Sequence, residues 1–205
     1  MINKNFLNEP NLLQLANEVF NNVIKFESKV DSKENLLSSK VKEAETINFI
    51  LADGLGYKNL MSLKTSLNNN IKKIINTTFP SSTNVALTTF AMISNPIDHG
   101  IIGYYMYDRT NFGLINALNW NSENESLLNN DYFKNQESIW KKFKSFNTHV
   151  SNFQPENLVG SSLSNFLYEK SSTVPYKTLD NLIEMLSEAS FLSLIHISEP
   201  TRLPG

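Results

Sequence analysis

The order of periodic segments along the chain predicts an α/β protein built on a mostly parallel sheet. Three observations carry this. Thr46 to Ala52 is short, rich in β-branched and aromatic residues and nearly continuous in its apolar character, which suits a strand covered on both faces. Segments with apolar residues three and four apart alternate with such strand-like runs instead of being grouped apart from them. At 205 residues, 40% apolar and 19% charged, the chain has an ordinary globular composition and can bury one sizeable core or form part of a larger one.

From Asn11 to Phe26, apolar Leu12, Leu13, Leu15, Ala16, Val19, Phe20, Val23 and Ile24 recur at helical spacing, and Pro10 and Asn11 suit a helix start. Glu27 to Ala44 is polar and reads as a linker or a sparsely packed helix. Asp53-Gly54 stops the first strand, Tyr57 to Leu67 has helical spacing, and Ile71 to Ile75 is a candidate second strand. Thr83 to Ile93 is too long for an average strand and well started by Ser or Thr, so it reads as a helix, ended by Asn95-Pro96.

Ile101 to Leu118, with Tyr104, Tyr105, Tyr107 and Phe112, is aromatic and punctuated by glycine, as a hairpin or a substrate-facing loop would be. Asn119 to Asn135 is polar and expected to be exposed. Glu137 to Phe146 reads as a helix, Thr148 to Phe153 as a strand, and Leu158 to Glu169 and Pro175 to Ala189 as helices. The resulting organisation is a helix and linker over 1–45, the main domain over 46–190, and a compositionally distinct tail over 191–205.

The formal charge of −2 and a pI near 5.9 give no basic excess to draw the chain onto nucleic acid or an anionic membrane. The absence of cysteine removes disulfides, thiolate metal sites and thiol nucleophiles together, so a metal would be held by oxygen and imidazole. Neither a leader-like apolar region near Met1 nor a run long enough to span a bilayer is seen, and a cytoplasmic location is expected.

Chemistry concentrates between Ile47 and Tyr104. Asp53 ends an apolar strand, where ligands of α/β sheets bind, although a turn or capping aspartate reads the same way. Thr83 opens a helix, where backbone N–H groups and the helix dipole favour an anion beside its hydroxyl; the plainer reading is a cap. A hydroxyl is a weak nucleophile until a base or a metal lowers its pKa. A divalent ion held partly by Asp53 would supply that activation and neutralise charge on phosphoryl oxygens. His99 in Pro96-Ile97-Asp98-His99-Gly100 is read as a structural histidine in a turn, with a ligand role as the lesser alternative. His149 has no motif, and His196 lies in the tail.

Ile50-Leu51-Ala52-Asp53-Gly54-Leu55-Gly56, Thr78-Phe79-Pro80-Ser81-Ser82-Thr83 and Pro96-Ile97-Asp98-His99-Gly100-Ile101-Ile102-Gly103 occur in that order. Together they resemble the N-terminal half of the type I phosphodiesterase/nucleotide pyrophosphatase family, part of the alkaline phosphatase superfamily. The resemblance implies an alkaline-phosphatase-like three-layer α/β sandwich with a mostly parallel central sheet and helices on both faces, truncated at its C-terminus. It implies Asp53 as a metal ligand, Thr83 as a nucleophile that also touches a metal, and two divalent ions, usually zinc. It further implies that phosphate passes to Thr83 and then to water, and that the substrates are small phosphate esters or nucleotides.

Two departures bear on function. One family branch carries asparagine near the substrate where Tyr104 stands here, which makes Tyr104 the candidate substrate-binding residue. The family completes its two-ion site with aspartates and histidines from its C-terminal half, and no such set follows Thr83. Leu192 to Arg202 also resembles the conceptual translation of a transposase adapter used in preparing DNA for sequencing. The tail is therefore expected to be non-native, and the preceding chain to be an incomplete and inactive fragment of a longer enzyme. A genuine short strand, Leu194 to Ile197, is the alternative. Phosphomonoesterase, phosphonate hydrolase and sulfatase relatives, or a non-catalytic module, remain open as other readings.

Overall fold

The computed structural model describes residues 10–26, 30, 35–109, 113–117, 121–122, 137–143, 146, 148–169, 171–188 and 192–197. The polar segment expected to be exposed, Asn119 to Asn135, lies outside them apart from 121–122. Helix α1 (Leu12–Ile24) begins with a reciprocal capping box: Asn11 Oδ1 accepts from Gln14 N and Gln14 Oε1 accepts from Asn11 N, both at 3.1 Å. It buries Leu12, Leu13, Ala16, Val19, Phe20 and Ile24, the stripe predicted by their spacing. After a single turn, α2 (Ser39–Lys42), comes the first strand, β1 (Asn48–Ala52), and then α3 (Tyr57–Ser62).

No strand forms at Ile71–Ile75; the chain there is held to the fold by a parallel bridge between Asn11 and Asn76. Two lysines in that run cannot be covered on a sheet, and Ile74 stays exposed. Helix α4 (Thr83–Met92) matches its predicted span and ends where Ile93 turns left-handed. The expected stop at Asn95-Pro96 instead opens a one-turn helix, α5 (Pro96–His99), because proline is suited to the first helical position.

β2 (Tyr105–Asp108) and β3 (Gly113–Asn116) form the expected hairpin, with β4 (Asn121–Ser122) as a third antiparallel strand. There follow α6 (Ile139–Phe143), β5 (Val150–Pro155), α7 (Ser162–Leu167), β6 (Ser172–Tyr176), α8 (Leu179–Glu188) and β7 (Leu192–Ile197). Strand β6 takes the unassigned 172–174 and also Pro175 and Tyr176, where the sequence places the opening of the last helix; that helix starts only at Leu179. Its Pro175 masks the strand pattern, and β6 is an edge strand, where proline is tolerated.

The second sheet is parallel throughout, in the order β1-β7-β5-β6. The backbone of Leu192–Ile197 fills the place between β1 and β5, with Phe49 opposite Leu194 and Asn152 opposite the same residue. Pairing of this kind uses main-chain groups, which every sequence carries, so it is neutral about the origin of the tail.

The main core lies on one face of this sheet, where Phe49, Leu51 and Val150 meet α1, α4, α6 and α7. Its centre is aromatic: Phe20 contacts Phe90 at 5.0 Å and Trp140 edge-on at 5.2 Å, and Phe90 stacks on Phe49 at 4.6 Å. On the opposite face α8 covers Phe153 and Tyr176 through Leu182. Helices thus stand on both faces, but among the described residues the coverage expected for both faces of β1 is not found. Ile50, on the α8 side, is 55% exposed, because α8 lies over β5 and β6 and does not reach it.

Candidate active site

Both predicted residues stand at element ends that bring them together. Asp53 directly follows the C-terminal end of β1, where Gly54 takes a left-handed conformation (φ 74°) that turns the chain back over the strand. Thr83 is the first residue of α4, after Ser82, whose extended backbone starts the helix. Although thirty residues separate them, the Thr83 hydroxyl donates to Asp53 Oδ2 at 2.7 Å. The other carboxylate oxygen accepts the Gly54 N–H at 2.9 Å, which fixes the rotation of the group.

A third group joins them. Tyr104 donates its phenol hydroxyl to Thr83 Oγ1 at 3.1 Å. A threonine oxygen has one proton and two lone pairs. Asp53 takes the proton and Tyr104 one lone pair, which leaves one lone pair for an electrophile. Beside Asp53 and Thr83 opens a cavity of about 510 Å³, bordered by Gly54 to Gly56, Asn59 and Ile75 to Thr77. It lies at the carboxyl end of β1, the end at which open α/β sheets bind ligands.

Asp53 and Thr83 are oxygen donors of a kind that suits a divalent cation. Among the described residues no group of three His, Cys, Asp or Glu side chains lies together. The pair therefore fits one side of a cation site and does not close it.

His99 is not in this site. It is 1% exposed at the end of α5, with Nε2 3.0 Å from Thr89 Oγ1 and Nδ1 accepting the Ile101 N–H at 3.1 Å. Nδ1 as acceptor leaves the proton on Nε2, so the ring is neutral and donates to Thr89. Burial pushes its pKa down to about 4, against a smaller upward pull from neighbouring Asp98. Tyr105 and Tyr107 are exposed on the hairpin and lie outside the contacts of Thr83.

The residue that sequence reasoning missed is Asn84. It is fully buried, accepts from Ser82 Oγ at 2.9 Å and donates to Gly103 O at 2.7 Å. The signal was present as an amide flanked by Thr83 and Val85 at the start of an otherwise apolar and hydroxyl-bearing helix.

The sequence profile of the family described as type I phosphodiesterase / nucleotide pyrophosphatase matches residues 49–177, which include β1, the site and β5 to β6. The chain belongs to this family. No curated protein matches it. The family is alkaline-phosphatase-like in fold, which accords with the α/β layering here. Its members are hydrolases of phosphodiester and pyrophosphate bonds, generally metal-dependent, and act on small phosphate esters or nucleotides. No helix among the described residues is long and apolar enough to cross a membrane.

Proposed function

We propose that Thr83 is the nucleophile of a metal-dependent phosphodiester or pyrophosphate hydrolase that works through a phospho-Thr83 intermediate. The observation that carries this reading is the convergence of Asp53 and Tyr104 on the one hydroxyl, at 2.7 and 3.1 Å. In the first half-reaction Thr83 Oγ1 bonds to phosphorus, its proton leaves along the bond to Asp53, and the bond to the leaving group breaks, the departing oxygen taking up a proton as the free alcohol or phosphate. In the second, water attacks the phosphothreonine, the Oγ1–P bond breaks and the hydroxyl is restored.

The hydroxyl proton lies on the bond to Asp53 before reaction, and Tyr104 offers a donor to the charge that develops on Oγ1. Divalent ions, zinc by family analogy, would be held on this side by Asp53 and Thr83; when bound they lower the pKa of the hydroxyl and neutralise charge on the phosphoryl oxygens. Tyr104 lies close enough to Thr83 to contact the transferred group as well, which supports its role in binding substrate.

With one carboxylate and one hydroxyl as the share of the shell that the described residues supply, we read the 205-residue chain as an inactive or nearly inactive form of this enzyme. Zinc-dependent hydrolysis of bis-(p-nitrophenyl) phosphate tests both parts. The chain as it stands is expected to give no appreciable turnover, and robust turnover lost in Thr83→Ala would overturn the incompleteness while supporting the nucleophile. A longer chain that supplies further aspartate and histidine ligands is expected to turn over and to lose activity in Thr83→Ala. Faster reaction with the monoester or a sulfate ester would instead assign it to those relatives. Zinc binding unchanged by Asp53→Asn would leave only the non-catalytic reading.

A further inference from the structure

Tyr104 reaches Thr83 from a loop without regular structure, Gly100 to Tyr104, between α5 and β2. The loop is held to α4 by buried side chains. Asn84 Nδ2 donates to Gly103 O at 2.7 Å, and His99, itself bonded to Thr89 of α4, accepts from Ile101 N at 3.1 Å. From the hairpin side Ala117 N donates to Tyr104 O at 2.7 Å, and Ile101 is buried with Val85 and Ala117.

Of these anchors, Asn84 is the one that links the residue next to Thr83 with the residue next to Tyr104. We propose that Asn84 is a positioning residue whose bond to Gly103 sets the register of this loop along α4, so that the side chain at 104 meets the Thr83 hydroxyl. The amide is doubly engaged, since Oδ1 is occupied by Ser82 and Nδ2 by Gly103, and therefore has one orientation. Loss of the Nδ2 donor leaves the Gly103 carbonyl without this buried partner, and the loop shifts to find another. The consequence for catalysis rests on Thr83 being the nucleophile; the positional statement does not.

The test uses the 205-residue chain with 3-fluorotyrosine at position 104, read by fluorine NMR, and the same label at exposed position 107 as a control. Thr83→Val keeps the shape of the side chain but removes the acceptor, and is expected to move the 104 resonance toward that of a solvent-exposed phenol. Asn84→Asp keeps the size and the acceptor for Ser82 but removes the donor to Gly103. It is expected to reproduce most of that displacement with native near-ultraviolet circular dichroism and an unmoved label at 107.

A 104 resonance unmoved in folded Asn84→Asp overturns the proposal. Should Asn84→Asp fail to fold, Ser82→Ala releases the other end of the amide from a half-buried position. There a shifted or broadened 104 resonance supports the proposal, and a sharp, unmoved one overturns it. Because the readout involves no chemistry, failure of a longer chain with a complete metal shell to form phospho-Thr83 would defeat the catalytic reading and leave this result intact.

Discussion

The helix that carries Thr83 and the strand that carries Asp53 differ in how much of the fold holds them. In α4, Asn84, Val85, Leu87, Thr88, Thr89, Phe90 and Ala91 are all buried, wedged between α1, α6, α7 and the sheet. In β1 no residue is fully buried, and α3, which follows Asp53, buries none either. Exposed Ile50, Tyr57, Met61, Leu63 and Leu67 lie on or near this side. The position of Thr83 is thus set by a helix packed on several sides, whereas the carboxylate of Asp53 is set mainly by its bonds to Gly54 and Thr83 and by one covered face of its strand. A two-residue site can be well formed while its halves have unequal support.

Core substitutions should expose this inequality most strongly. Phe90→Ala removes the ring that stacks on Phe49 and lies tilted against Phe20, and is expected to cost about 3–5 kcal/mol in urea unfolding. An effect below about 1 kcal/mol would show that α4 is not the better-held half.

Acid should act next, and on the same side. The His99 pKa falls from 6.5 in the unfolded chain to about 4 in the fold, so the unfolded state takes the proton first. Its contribution is fully present above pH 6.5 and is lost as pH falls toward 4, amounting to about 3 kcal/mol. The protonated ring would also bring an N–H against the Ile101 N–H that now donates to it. Stability measured between pH 7 and pH 4 should drop more for the wild type than for His99→Gln, and equal slopes would remove the histidine from the account.

The bond between the two halves is smaller. Thr83→Val deletes the 2.7 Å bond to Asp53 at a half-exposed position, for which about 0.5–1.5 kcal/mol is expected. Hydrogen exchange at the Gly54 amide should quicken, because the carboxylate loses one of its two restraints. Smallest of all is Ile50→Thr, which keeps β-branching at an exposed strand position and should change stability by less than about 0.5 kcal/mol. The same change should reduce association measured by sedimentation, since it removes apolar surface from an uncovered sheet face. A large loss of stability there would mean that this face is covered in solution.

The amphipathic stripe of α1, the extent of α4 and the hairpin after Tyr104 were legible because helix and hairpin formation depend on local periodicity and turn chemistry. The short apolar run ending at Asp53 was legible as a strand, but its burial was not. Continuous apolar character suits a strand covered twice, and whether α8 reaches Ile50 depends on where a distant helix lands. Strand β6 was hidden by Pro175, which only an edge position allows.

By itself the sequence determined the family and the pairing of Asp53 with Thr83, since both follow from residue types at element ends and from motif order. Only the tertiary structure decided that Tyr104 donates to the Thr83 hydroxyl, that Asn84 ties the start of α4 to the loop before β2, and that His99, read as structural from the sequence, is bonded to Thr89 inside the core. Those contacts join segments whose separation along the chain carries no local signal, and they exist because buried amide, imidazole and carbonyl groups must each find a partner.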